Sequence, residues 1–67
     1  MMEVTVNGER QAVSKGLTAG QLLEQLHIVP ERVVVEVNLA ILKRAQLADT
    51  ILKEGDQVEI VQMVGGG

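Results

Sequence analysis

Three glycines close the sequence, Gly65-Gly66-Gly67, and their type and spacing point most directly to chemistry. Fully extended, three residues reach about 10 Å beyond whatever precedes them. Without β-carbons they fit a channel too narrow for a side chain and adopt backbone angles closed to other residues. An α-carboxylate on Gly67 is ionised at neutral pH, and a carboxylate is a nucleophile. A flexible tail of this kind, with Gly65 and Gly66 threading and Gly67 carrying the reacting group, suits delivery of a carboxylate into another protein's active site. Composition alone reads the same run equally as a frayed end or a linker; the delivery reading rests on physical fit.

Other chemistries find little material. The chain has 67 residues and no cysteine, which excludes disulfides, thiolate metal sites and a cysteine nucleophile. A single histidine, His27, cannot form a histidine cluster. It falls at the expected end of a helix, where an imidazolium would meet the helix dipole favourably, and its reading is structural. Asp49, Glu54 and Asp56 are close in sequence, but no second ligand set accompanies them, so no metal site is expected. Lys43-Arg44 and Glu31-Arg32 read as solvated charges. The formal net charge of −3 argues against nucleic acid as a partner, since phosphate binding needs a basic face. No apolar run has the length of a membrane span, and the cytoplasm is the expected location. A chain this short holds a thin core and no enclosed catalytic pocket, so no enzymatic activity is expected of it. Its hydrophobic residues, 46% of the chain, are aliphatic without one aromatic.

The elements that must position the tail are legible in outline. From Met2 to Asn7 apolar Met2, Val4 and Val6 alternate with polar residues, the period of a half-buried strand. Asn7-Gly8 then signals a tight hairpin, with a return strand over Arg10 to Ser14. Thr18 and Gln21 have the spacing of a capping box, and Leu17 and Leu22 that of a hydrophobic staple. Leu22, Leu23 and Leu26 share one helical face, and Pro30 stops the helix, predicting a helix from about 18 to 27. Val33 to Val37 reads as a central strand, Asn38 as a turn, and Ala40 to Leu42 as a short partner strand. One helical turn is expected near Ala45 to Leu47, a turn at Glu54-Gly55-Asp56, and a last strand from Gln57 to Val64. On that strand Val58 and Ile60 share one face and Glu59, Val61 and Met63 the other. With the first pair in the core, Val61 and Met63 stand outward beside the tail, as scattered surface residues or as a docking patch. The expected fold is α+β, a mixed sheet of about five strands with one main helix on one face, in a single domain of residues 1–64.

The ββαβ order, the helix start at Leu17-Thr18, the Glu54-Gly55-Asp56 turn and the strand running into Val64-Gly65-Gly66-Gly67 resemble a ubiquitin-like β-grasp carrier. Within that class the whole chain resembles the ThiS family, the sulfur carriers of thiamine biosynthesis. The resemblance implies that an adenylating enzyme, using ATP and magnesium, activates Gly67. It implies that a sulfur donor such as a cysteine desulfurase then leaves a thiocarboxylate there, and that thiazole synthase accepts the sulfur. Gly66 matches the family's penultimate glycine; Gly65 is an additional one. The small subunit of molybdopterin synthase shares the fold and terminal chemistry but is usually longer and commonly carries aromatics. A ubiquitin-like modifier would form an isopeptide bond through Gly67 instead. Outside the carrier class, the rival is a β-grasp interaction module with an inert tail.

Overall fold

The computed structural model describes residues 1–64; the roles expected of Gly65, Gly66 and Gly67 lie outside the described residues. Strands β1 (Met2–Val6) and β2 (Glu9–Val13) form the first hairpin. Asn7 and Gly8 turn it with φ of 50° and 84°, the double positive-φ turn whose twist matches the strands it joins. Helix α1 (Ala19–Gln25) follows. Next come β3 (Val33–Val37), β4 (Ala40–Leu42) and β5 (Gln57–Gln62), with short 3-10 turns at Pro30–Arg32 and Arg44–Gln46.

The sheet order is β2-β1-β5-β3-β4. The central position therefore belongs to β5, the last strand in sequence, and not to Val33–Val37. β5 pairs parallel with β1 and antiparallel with β3. Both neighbours are hairpin strands already paired on their other side, so β5 joins two hairpins into one sheet.

The helix begins as its capping box predicts. Thr18 Oγ1 accepts from the Gln21 N–H, and Gln21 Oε1 accepts from the Thr18 N–H. The remaining first-turn donors are met from the loop before β5: Ala19 N–H donates to Thr50 O and Gly20 N–H to Leu47 O, both at 2.9 Å. No donor that a helix N-terminus normally leaves open lacks an acceptor here.

Its other end departs from expectation. The helix stops two residues early, and His27, not Pro30, stops it. His27 adopts φ of 58°; its N–H donates to Glu24 O and the Ile28 N–H to Leu23 O. Those two bonds are a Schellman motif, with histidine where glycine is usual. Pro30 instead opens the following 3-10 turn, where its fixed φ fits and its missing N–H costs nothing. Other boundaries shift by a residue or two: the return strand runs Glu9–Val13, the helical turn precedes Leu47, and β5 ends at Gln62.

Helix and sheet close on one core. Leu22 and Leu23 meet Val4, Val35 and Val58 from three strands, with Leu17, Ala19, Leu47 and Leu52 sealing the rim. Each fully buried Leu or Val contributes roughly 1.5–3 kcal/mol over its exposed state. No buried side-chain polar atom among the described residues lacks a hydrogen-bond partner.

Candidate functional site

The site is built around β5, because whatever follows residue 62 is carried by that strand. Two asparagines fasten it. Asn7 Oδ1 accepts from the Ile60 N–H at 2.8 Å, and its Nδ2 donates to Ile60 O at 3.2 Å. The Asn7 N–H also donates to Val58 O at 2.9 Å. One asparagine thus turns the first hairpin and extends the β1–β5 ladder with its side chain. Asn38 repeats the device at the second hairpin. Its φ is 51°, its Oδ1 accepts from the Gln57 N–H at 2.9 Å, and its Nδ2 donates to Asp56 Oδ1. An amide offers both donor and acceptor in one plane, as a peptide group does, so each hairpin turn grips the central strand.

Two carboxylates near this start of β5 accept backbone hydrogen bonds. Asp56 Oδ2 accepts from the Lys53 N–H at 2.8 Å, closing the turn before β5. Glu54 accepts from the Glu3 N–H. Among the described residues no group of three or more His, Cys, Asp or Glu could hold a metal ion.

Alternation along β5 sends Val58 and Ile60 to the helix side, where Val58 is fully buried and Ile60 packs against the core. Val61 and Met63 lie on the opposite face, each 49% exposed. Past the strand, the Met63 N–H still donates to Arg32 O at 2.8 Å, while Val64 is free of the surface at 98% exposure. The backbone is therefore hydrogen-bonded to the sheet through Met63, and Val64, the last described residue, stands clear of the surface.

Register shows what the local pattern could not. Val34 pairs with Val61, and Glu36 pairs with Glu59 on one side and Ile41 on the other. These residues stand on the same outward face as Val61 and Met63. Exposed Ile41 extends the apolar surface onto β4, and Leu39, 86% exposed, stands at the adjoining turn. Glu36, Ile41, Val34 and Leu39 were missed in sequence, since nothing local says which strands lie side by side.

A mixed five-strand sheet covered on one face by a single main helix, with its last strand central, defines the ubiquitin-like β-grasp class. Within that class the profile of the ThiS family matches residues 3–67, and the chain belongs to the ThiS family. The crystal structure of a thiamine biosynthesis protein (ThiS) from Geobacter metallireducens matches with a TM-score of 0.86 at 38% identity, covering 98% of this chain and 100% of that one. The sulfur carrier protein ThiS of Escherichia coli is 32% identical over 66 residues, 98% of this chain and 100% of its own length. A thiazole synthase of Magnetococcus marinus is 39% identical over 66 residues, but the chain spans only 20% of that protein's length.

Proposed function

We propose that the chain is a sulfur carrier of thiamine biosynthesis and works through the carboxylate of Gly67. The observation that carries this reading is the placement of β5. The central, doubly clamped strand ends at Gln62, shortly before the glycines in sequence, with Val61 and Met63 exposed on its outward side. Similarity to the E. coli sulfur carrier over its whole length supports the same reading.

In this scheme the protein is a carrier, not a catalyst. An adenylating enzyme docks on Val61 and Met63 while Gly65 and Gly66 thread its active-site channel. The Gly67 carboxylate attacks the α-phosphorus of ATP and pyrophosphate leaves. Carboxylate and triphosphate are both anionic, so the enzyme and its magnesium supply the cationic groups that let them meet. A persulfide from a cysteine desulfurase or similar donor then displaces AMP from the acyl carbon, and a thiol reductant cleaves the resulting acyl disulfide. The product is a thiocarboxylate on Gly67, and thiazole synthase consumes the sulfur. A stretch similar to this chain within a thiazole synthase favours that acceptor, because joining two modules raises their effective concentration.

Intact-protein mass spectrometry tests the reading. After incubation with the adenylating enzyme, Mg-ATP and a sulfur source, the mass should rise by the difference between one sulfur and one oxygen. Deleting Gly67, or Gly66→Ala, should abolish the gain and leave the melting temperature unchanged. A gain that survives both changes overturns the terminal chemistry; no gain in the wild type, with the enzyme active on another carrier, favours an interaction module with an inert tail.

A further inference from the structure

Asn7 is both the first member of an Asn-Gly pair and a clamp on the central strand. Asparagine before glycine is the pair most open to intramolecular imide formation, because a glycine nitrogen has no β-carbon beside it to hinder its approach. Both residues are exposed, and a β-carbon built on Gly8 would meet nothing within 4 Å. Water therefore reaches this turn freely. What holds the reaction back is the clamp. With Oδ1 accepting from the Ile60 N–H and Nδ2 donating to Ile60 O, the Asn7 amide is engaged with β5. Attack needs the two reacting atoms within about 3–3.5 Å and aligned, so the clamp must open first. Asn38 offers the contrast. It grips the start of β5 through its own amide, at a φ of 51° against 50° for Asn7. Its next residue is Leu39, whose bulky side chain crowds the attacking nitrogen.

We infer that Asn7-Gly8 is a self-modification site: when the clamp opens, the Gly8 nitrogen attacks Asn7 Cγ, and the product cannot fasten β5 again. The Gly8 N–Cγ bond forms and the Cγ–Nδ2 bond breaks. Nδ2 leaves as ammonia, taking the proton from the Gly8 nitrogen. Water then opens the succinimide at one of its two carbonyls. Cleavage of the new bond leaves an aspartate; cleavage of the original peptide bond leaves an isoaspartate. No enzyme, metal or oxidant enters the balance. The aspartate has no N–H to donate, and it sets a carboxylate oxygen against Ile60 O. The isoaspartate draws the side chain's own carbons into the main chain, so no group of the right length reaches Ile60. In both products the Ile60 carbonyl loses its donor, and a hydrogen-bonding group left without its partner is costly. The strand so loosened is the one that joins the two hairpins. The modification stands apart from the carrier reading; only its effect on sulfur loading rests on that reading.

Ageing the purified chain in mildly alkaline buffer, folded and in denaturant, tests the site. Peptide mapping by mass spectrometry should find the exchange of an NH group for oxygen at Asn7 and none at Asn38. The folded chain should react about tenfold slower than the denatured one, since only its open fraction reacts. Leu39→Gly, at a φ of 71° that glycine adopts freely, should add Asn38 as a second reacting residue. The aged chain, separated by its extra negative charge, should melt lower, and its Ile60 amide should exchange hydrogen about tenfold faster. Asn7→Asp should show the same two changes without ageing. Equal rates in folded and denatured chains, reaction at Asn38 matching that at Asn7 in wild type, or an aged chain with unchanged melting and Ile60 exchange each overturn the inference. Sulfur loading is read on the same preparations. Loading of the aged chain should fall below that of the fresh chain, and equal loading overturns the functional effect. A fresh chain that does not load removes the carrier reading and keeps the modification site.

Discussion

The two faces of the sheet alternate residue by residue along the same strands, yet they are filled by different rules. Toward the helix stand Val4, Val35 and Val58, sealed by Leu22 and Leu23, with the helix ends satisfied by backbone and capping bonds. Away from the helix stand Glu36 against Glu59, and Val61, Met63 and Ile41 open to solvent. The first face resolves every local demand of its residues. The second leaves like charges opposed and apolar side chains wet. A sequence tuned for stability alone would place neutral or opposite-charge pairs there, so the difference separates what holds this fold from what the fold presents.

The comparison breaks most visibly from the helix side. Leu23→Ala should cost about 2–5 kcal/mol, the lost burial plus the cavity left behind. A chain of this size holds only roughly 0.05–0.15 kcal/mol per residue, so chemical denaturation should show a much lowered midpoint or no folded baseline. A retained midpoint would mean the core is not shared as described. At the helix end the sign reverses: His27→Gly frees a left-handed position from its β-carbon. After the extra entropy of glycine in the unfolded chain, it should stabilise by roughly 0.5–1 kcal/mol, visible as a melting temperature a few degrees higher. The smallest stability effect belongs to the outward face. Val61→Ser with Met63→Ser should shift stability by no more than about 0.5 kcal/mol while abolishing sulfur loading. Loading at the wild-type rate would return both residues to the status of ordinary exposed surface.

Much of this architecture is legible in local sequence. Asn7-Gly8 and the Thr18/Gln21 box encode their geometry within four residues, because the turn and the cap are made by those residues themselves. The division of β5 into Val58 and Ile60 inward, Val61 and Met63 outward, follows from alternation alone. What escaped depends on distant residues. Sheet order follows from pairings that span most of the chain, so Val33–Val37 reads as central when β5 is. Leu39 carries no turn signal; it holds its positive φ because Asn38 is clamped to the start of β5 and the hairpin twist demands it. His27 escaped because Pro30 is the louder stop signal, although the Schellman bonds form first along the chain. The opposition of Glu36 and Glu59 exists only once the β3–β5 register is fixed.

The central place of β5 has a consequence for synthesis. As the chain leaves the ribosome, β1–β2 and β3–β4 emerge as two hairpins with a gap between them, and an isolated hairpin is marginal at best in water. The strand that fills the gap pairs Thr5 with Gln57 and Val6 with Val58, so it arrives after the other four strands. A chain released before this strand has two marginal hairpins and no sheet to join them. Folding and display of the segment beyond Gln62 are therefore one event, and an incomplete chain has neither the surface nor the anchored strand with which to engage a partner.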